Sequence, residues 1–186
     1  MLLDDLRNAL LRYAPSDERE ATFRTRMLEL ADTANPFSRT SFHPGHFTAS
    51  AFVLSKEHDR LLLVFHRKLV RWLQPGGHIE LGDASVAAAA QREVEEETGV
   101  LGRKDALDGL FDIDVHEIPA RPGEPAHEHF DLRVLLVASE DDVTASDEVE
   151  AVKWVNVADI GSLATDESVL RAVRKLRAAP WSRPPR

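Results

Sequence analysis

The chain has 186 residues, 43% of them hydrophobic and 30% charged, a composition typical of one globular domain with a modest extension. No apolar run approaches the ~20 residues that span a bilayer, and Asp4 and Asp5 do not fit the basic region of a signal peptide, so we expect a cytoplasmic protein without a membrane partner. The lack of cysteine excludes disulfides and thiolate chemistry, and a net charge of −9 argues against binding to long nucleic acids.

Two helices are predicted at the start of the chain. Apolar residues recur at helical spacing over residues 2–13, until Pro15 stops the pattern. A second helix should begin near Asp17, because Asp17 and Glu20 have the spacing of a capping box. Its apolar side would carry Phe23, Met27, Leu28 and Ala31. We therefore predict a helical N-terminal extension over residues 1–42, which could be a lid, the contact of a homodimer or a packing support.

The main domain should begin after a connector at residues 35–47, which contains two prolines and a glycine. Apolar β-prone runs predict strands at residues 47–54, 61–65, 111–118, 130–139 and 151–157. The first two are separated by the polar residues 55–60 and should form two antiparallel strands joined by a turn. Helices are predicted at 84–98 and 168–178. Strands interrupted by helices indicate an α/β fold with a mixed sheet covered on both faces. We expect this domain to span residues 43–180, followed by a tail at 181–186. The basic residues from Arg171 onward are interpreted as a solvated helix face and tail.

The predicted helix at residues 84–98 is strongly acidic at its end. Helical periodicity places Glu93, Glu96 and Glu97 on one face. A second face carries Val86, Ala90 and Val94, which can pack on the sheet. Like charges on one face repel each other unless positive charge lies among them, and Mg²⁺, which prefers oxygen ligands and is often shared with phosphates, supplies such charge. A solvated acidic surface with an incidental Arg92–Glu96 ion pair explains the glutamates alone equally well.

The loop before this helix contains two adjacent glycines. Gly76 and Gly77 permit backbone conformations that are closed to other residues, so a carbonyl or amide of this loop can approach a metal or a phosphate. Glycines alone would more often mean only a turn. Asp83 or Ser85 is expected to cap the start of the helix, and Gly99 to end it.

The stretch from Gly76 to Val100 resembles the Nudix box, G-x5-E-x7-R-E-U-x-E-E-x-G-U, in which U is a bulky apolar residue. Its second half matches without a gap, at Arg92, Glu93, Val94, Glu96, Glu97, Gly99 and Val100. The first half departs from the pattern. Asp83 stands where the box has Glu, and eight residues instead of seven separate it from Arg92. The extra residue can be accommodated before the helix begins, so the departure leaves the glutamate face unchanged but removes support for a role of Asp83.

The resemblance implies a Nudix-like α/β/α sandwich and a Mg²⁺-dependent hydrolase, with Mn²⁺ as a substitute. Such an enzyme cleaves the pyrophosphate bond of a nucleoside diphosphate linked to another moiety, as in nucleotides, nucleotide sugars, ADP-ribose and dinucleoside polyphosphates. Carried over by position, Glu96 and Glu97 would be the principal metal ligands and Glu93 a ligand or the general base. Arg92 would orient them, and the backbone carbonyl of Gly76 or Gly77 would complete the metal shell.

Two related functions were weighed against hydrolysis. Isopentenyl diphosphate isomerases share the Nudix fold but use a cysteine, which this chain lacks. A catalytically silent domain that binds a nucleotide as a sensor tends to have lost the glutamates of the box, whereas Glu93, Glu96 and Glu97 are all present. Hydrolysis is therefore favoured, and the substrate is left open.

Several residues outside the box are candidates for binding the substrate. Along one predicted strand, His127, His129, Asp131 and Arg133 alternate and share a face, which would either line the substrate cleft or form the solvent side of an edge strand. From this face we select His129 and Asp131. Arg67 and Arg71 precede the glycine loop and could meet phosphate oxygens.

Other polar and aromatic residues are assigned ordinary structural roles. Asp147, Glu148 and Glu150 could supply a further acidic ligand, but a solvated loop is favoured. Trp72 and Phe47 could stack on a base, but core packing is the more frequent use of such residues.

Overall fold

The computed structural model describes residues 2–103, 109–147 and 149–178 of the chain. In chain order its elements are α1 (Leu2–Arg12), α2 (Glu18–Ala31), β1 (Gly45–Leu54), β2 (Arg60–His66), β3 (Arg71–Leu73), β4 (Gly76–His78), α3 (Val86–Thr98), β5 (Gly102–Arg103), β6 (Asp112–Ile118), β7 (His127–Ala138), β8 (Val152–Asn156), a 3₁₀ helix (Ile160–Ser162) and α4 (Glu167–Ala178). The candidate Glu148 and the predicted tail at 181–186 lie outside the described residues. No helix in the described part of the chain is both long enough and apolar enough to cross a membrane.

The strands belong to one sheet whose hydrogen-bonded order is β3-β2-β1-β7-β5, and β4, β6 and β8 pair with β1, β7 and β2, respectively. The predicted hairpin of β1 and β2 is confirmed by antiparallel pairing with Leu54 opposite Leu61. Strand β7 begins three residues before its predicted start, at His127. The short strands β3, β4 and β5 have two or three residues each, too few to show a sequence period.

The chain divides into two compact units, and the first consists of Met1–Ser50, Gly77–Ala90 and Gly109–Val134. Its strands β6 and β7 pair antiparallel from Asp112 opposite Arg133 to Ile118 opposite His127. The second unit consists of Ala51–Gly76, Gln91–Asp108 and Leu135–Arg186. There β2 pairs antiparallel with both β3 and β8, and the apolar side chains of Leu61, Leu62 and Leu63 are fully buried.

The two predicted N-terminal helices are present and pack within the first unit. The carboxylate of Asp17 accepts a hydrogen bond from the backbone N–H of Glu20 at 2.8 Å, as predicted for the start of α2. Met27 and Ala31 are buried as expected, and Phe23 and Leu28 are half-buried. Leu30, which was not predicted on this side, is buried as well. Leu6 and Leu10 of α1 are fully buried as well.

Helix α1 also contacts the start of α3. The backbone N–H of Val86 donates to the Asp5 carboxylate at 3.3 Å. A carboxylate at this position satisfies an N–H group that has no partner inside the helix, and its charge complements the helix dipole. The extension therefore supports the acidic helix at its N-terminal end, which agrees with a packing role.

The prediction of a solvated C-terminal basic face was wrong at Arg171. Its side chain is buried on the same helix as Val169, Ala172, Val173 and Leu176. An arginine stem of three methylenes can cover apolar surface in this way. The remainder of the basic tail, from residue 179, lies outside the described residues.

Candidate active site

Helix α3 is fixed at its start by a local cap. The Ser85 hydroxyl accepts a hydrogen bond from the backbone N–H of Ala88 at 3.1 Å, which confirms Ser85 as the cap and not Asp83. Asp83 instead accepts from the backbone N–H of Glu80 at 2.8 Å and closes the preceding turn. The extra residue of the box thus lies before the helix. Val86, Ala90 and Val94 are buried, as predicted for the packing face.

The C-terminal end of α3 is held by the chain that follows. Gly99 has a φ of +70°, the left-handed conformation expected of a residue that ends a helix. The backbone N–H groups of Thr144 and Ser146 donate to the carbonyls of Thr98 and Glu97 at 2.9 and 3.2 Å. Carbonyls that would lack a partner in the last turn are thereby satisfied, and the acidic end of the helix is held in place.

Arg92 joins two of the glutamates of the acidic face. One guanidinium nitrogen, Nη1, lies 2.9 Å from Glu93 Oε1 and 2.9 Å from Glu96 Oε2. The side chain of Glu93 is 13% exposed and that of Glu96 is 56% exposed, so one carboxylate is largely shielded and the other faces solvent. The predicted Arg92–Glu96 contact is confirmed, and Arg92 also holds Glu93.

The third glutamate contacts the glycine loop. The backbone N–H of Gly76, the first residue of β4, donates to Glu97 Oε2 at 3.1 Å. The expected approach of the loop backbone therefore occurs through an amide, and it meets a carboxylate. Gly77 is the next residue of β4, and its carbonyl as a metal ligand stays a prediction.

The acidic face fits a hard divalent cation. Three carboxylates and one guanidinium leave this group with a formal charge of −2, and its oxygen atoms are the ligand type that Mg²⁺ prefers. Arg92 and the Gly76 amide restrict the carboxylates, as partners of metal ligands commonly do. The acidic helix is thus more than a solvated surface with one incidental ion pair.

Asp131 lies in a buried polar network of the first unit. Its carboxylate accepts hydrogen bonds from Thr48 Oγ1 at 3.1 Å, Ser50 Oγ at 2.8 Å and Arg133 Nε at 2.8 Å. Arg133 Nη1 lies 3.1 Å from Asp112 Oδ2, and Nη2 lies 3.5 Å from Asp114 Oδ2. Burial lowers the pKa of Arg133, but Asp114, Asp131 and Asp112 raise it by more, so this guanidinium stays charged.

The sequence left two interpretations of the alternating face of β7, a lining of the substrate cleft or the solvent side of an edge strand. The second is wrong for Asp131 and Arg133, which are buried. Strand β7 is not an edge strand, because it has neighbours on both sides in the sheet. A substrate role for Asp131 stays a prediction, and its contacts favour a structural role. His129 is half-buried, and its substrate role also stays a prediction.

The remaining candidates are exposed or structural. Arg67 Nε lies 3.6 Å from Glu150 Oε2 and Arg71 is exposed on β3, so both are available to a ligand but are not held rigidly. Asp147 and Glu150 are exposed, in keeping with a solvated loop. Phe47 is buried in the core, as expected. Trp72 packs on Phe65 with ring centroids 5.2 Å apart.

Sequence reasoning did not single out His46 and His78, two of the histidines that the fold brings to His129. The ring centroid of His46 lies 4.8 Å from that of His129, and the centroid of His78 lies 5.5 Å from it. These residues come from β1 and β4, which are far from β7 in the sequence. No local pattern marks them, because only the strand pairing makes them neighbours.

A comparison with family models matches residues 45–176 to the NUDIX domain. The chain belongs to the Nudix family. Among its relatives is a protein of Lactococcus lactis subsp. cremoris described as a probable DHNTP pyrophosphohydrolase, 29% identical over 140 residues that cover 74% of this chain and 80% of the relative.

Solved structures agree with this membership. A Nudix-family hydrolase from Clostridium perfringens superimposes with a TM-score of 0.55 at 26% identity, and the match covers 72% of this chain and 97% of that one. The dihydroneopterin triphosphate pyrophosphohydrolase of E. coli gives a TM-score of 0.53 at 19% identity over 72% and 96% of the two chains, which shows a shared fold. The predicted Nudix α/β/α fold with a mixed sheet is thereby confirmed.

Proposed function

We propose that this Nudix hydrolase is a Mg²⁺-dependent pyrophosphohydrolase that acts on a nucleoside diphosphate linked to another moiety, with Mn²⁺ as a substitute for Mg²⁺. Family membership makes it a hydrolase of the pyrophosphohydrolase class that depends on a divalent metal and acts on a small nucleotide. The choice of Mg²⁺, the range of substrates and the roles of individual residues are our proposals.

The observation that carries the proposal is the arrangement of Glu93, Glu96 and Glu97 on one restrained helix face. Arg92 bonds two of them at 2.9 Å, and the Gly76 amide bonds the third at 3.1 Å. Glu93, Glu96, Glu97 and the Gly77 carbonyl would hold the cation. When bound, the cation would neutralise charge on the phosphoryl oxygens of the substrate. It would also lower the pKa of water, which makes hydroxide available near neutral pH.

The chain's own groups have distinct tasks in this proposal. The side chain of Glu93 is 13% exposed, against 56% for Glu96, and it is suited to accept a proton from the attacking water. Arg92 keeps Glu93 and Glu96 in their orientations. The Gly76 amide does the same for Glu97. Arg67, Arg71, His129 and Asp131 stay the candidates for contacting the rest of the substrate.

The proposal is tested with a panel of compounds that share a pyrophosphate bond. It should contain a nucleoside triphosphate, ADP-ribose, a nucleotide sugar and a dinucleoside polyphosphate. Dihydroneopterin triphosphate is added because it appears in the name of the lactococcal relative. We expect hydrolysis of at least one compound with Mg²⁺ or Mn²⁺ and none with a chelator. Binding of a compound without any turnover would instead support the silent sensor.

The best substrate is then used with two glutamate variants. Glu97→Gln removes one charge from the proposed metal face, and we expect kcat to fall about 100- to 1000-fold. Glu95→Gln is the matched control, because Glu95 is exposed on the same helix and makes the same change in charge. Equal rates for Glu97→Gln and the parent would show that the metal assignment is wrong.

Three further expectations belong to this proposal. We expect the protein to be cytoplasmic. We also expect that it does not bind long nucleic acids, because its net charge is −9. A homodimer remains an arrangement to be tested by sedimentation. The division into residues 1–42, 43–180 and 181–186 also stays a prediction.

A further inference from the structure

Five of the eight histidines of the chain pack together in the first compact unit. His46 lies on β1, His78 on β4, His116 on β6, and His127 and His129 on β7. The ring of His46 lies 5.1 Å from that of His78, 5.2 Å from that of His127 and 4.8 Å from that of His129. Opposite His129 in the strand pairing stands His116, with the ring centroids 5.6 Å apart. Apart from His129, a candidate for contacting the substrate, the proposed pyrophosphate chemistry assigns no task to this histidine cluster.

His46 has a buried nitrogen that lacks a partner. The residue is 1% exposed. Its Nδ1 lies 3.1 Å from the carbonyl of Ser41, so Nδ1 carries the proton and donates it. Nε2 is then a lone-pair acceptor, and it is buried with no hydrogen-bond donor. A buried acceptor without a donor costs free energy, which a cation bound at this atom would offset.

His127 is oriented in the same way. Its Nδ1 lies 2.9 Å from the carbonyl of Pro125, and this contact leaves Nε2 to face other groups. A backbone carbonyl that accepts from the second ring nitrogen is the usual partner of a metal-binding histidine, since it fixes the tautomer. His46 and His127 therefore both have the support that metal ligands have in other proteins.

The nitrogens of three residues lie close enough to share one cation. One ring nitrogen each of His46, His127 and His129 lies within 4.8 Å of the other two. Two nitrogens bound tetrahedrally to Zn²⁺ at about 2.0–2.1 Å would be about 3.3 Å apart. The nitrogens would therefore have to approach each other by about 1.5 Å or less, which small rotations of the rings allow. His127 also lines an open cleft, together with Phe42 and Glu117.

Burial lowers the pKa of His46, and it lowers the pKa of His129 to about 2 and that of His78 to about 4, because a charged ring loses hydration there.

We propose that His46, His127 and His129 bind a divalent transition-metal cation, of which Zn²⁺ is the type case, through one ring nitrogen each. This donor set selects against Mg²⁺, which prefers oxygen, and favours Zn²⁺, Ni²⁺ or Cu²⁺, which accept imidazole. Three protein nitrogens leave a fourth position for water or another ligand. The site is separate in its chemistry from the glutamate face and does not depend on the proposed hydrolysis.

The test measures zinc binding without substrate. The full chain is stripped with a chelator, and Zn²⁺ is titrated at pH 7 against a chromophoric competitor, with excess Mg²⁺ present to occupy the glutamates. We expect the parent to bind one equivalent of Zn²⁺ tightly. His129→Gln should lower the zinc affinity at least about 100-fold, because loss of a residue that only supports a ligand already lowers metal affinity about 10- to 100-fold. His66→Gln is the matched control, because His66 is also a half-buried histidine and lies at the end of β2, outside the histidine cluster. It should bind as the parent does.

Two further measurements make the outcome independent of folding and of the glutamates. The substitution is made at His129 and not at His46, because His129 is half-buried and tolerates a change better. Substitution of the buried His46 risks the fold. Co²⁺ bound to the intact parent should give the intense visible absorption of a four-coordinate nitrogen site. The Glu97→Gln variant should still bind one equivalent of Zn²⁺ tightly. A parent that binds no tight zinc, a His129→Gln variant that keeps the parental affinity, or a Glu97→Gln variant that loses the zinc would overturn the proposal.

Discussion

Replacement of Arg133 by methionine should destabilise the protein strongly. The side chain of Arg133 is 2% exposed and contacts Asp112, Asp114 and Asp131, whose side chains are at most 6% exposed. Methionine has a similar length but no charge, so these buried carboxylates would lose their counterion. Removal of one partner of a buried ion pair costs about 3–5 kcal/mol. At about 2–4 °C per kcal/mol for a chain of this size, the melting temperature should fall by roughly 6–20 °C.

Urea unfolding followed by circular dichroism measures this loss. Arg174→Met is the matched control, because Arg174 forms an exposed ion pair with Glu167 and an exposed pair contributes at most about 1 kcal/mol. We expect Arg133→Met to lower the free energy of unfolding by several times the loss in the control. Equal losses in the two variants would refute the view that Arg133 neutralises a buried acidic network.

Three other substitutions test local features of the structure. Arg92→Gln should lower kcat about 10- to 100-fold, because the carboxylates lose their orienting partner, while the melting temperature changes little. Gly45→Ala should lower the melting temperature far more than Gly82→Ala, because a Cβ at Gly45 would lie 1.8 Å from the backbone oxygen of Glu128 and one at Gly82 would meet nothing within 4 Å. Asp17→Ala should cost about 1 kcal/mol in urea unfolding, since it removes the cap of α2.

Features that depend on neighbouring residues in the sequence were predicted well. The acidic face, the packing face and the end of α3 at Gly99 follow from helical periodicity and capping chemistry, which act within a few residues. The hairpin of β1 and β2 follows from two apolar runs joined by a polar turn. The Nudix box then gave the family, because it is a match of residue type and spacing within one helix and its approach.

Features that depend on strand pairing were not predicted. The contact of Asp112 with Arg133 joins residues that only the register of β6 on β7 brings together. The alternation of His129 and Asp131 correctly placed them on one face, but it could not show that β7 has neighbours on both sides. The histidine cluster was missed for the same reason, since His46 and His78 come from other strands.

A local pattern did not resolve the edges of two apolar helix faces. Leu30 of α2 was not predicted to be buried, yet the structure buries it together with Met27 and Ala31. Arg171 was assigned to solvent because it is charged, yet α4 buries its stem. Periodicity gives the width of an apolar face, and tertiary contacts decide its edges.

The most direct test of the account is Mn²⁺ binding at the acidic helix, measured by electron paramagnetic resonance of the free ion. The parent and Glu95→Gln should bind Mn²⁺ equally, and the double variant Glu96→Gln/Glu97→Gln should bind it at least about 10-fold more weakly. Retention of parental affinity in the double variant would contradict the claim that Glu93, Glu96 and Glu97 jointly hold the metal for pyrophosphate cleavage.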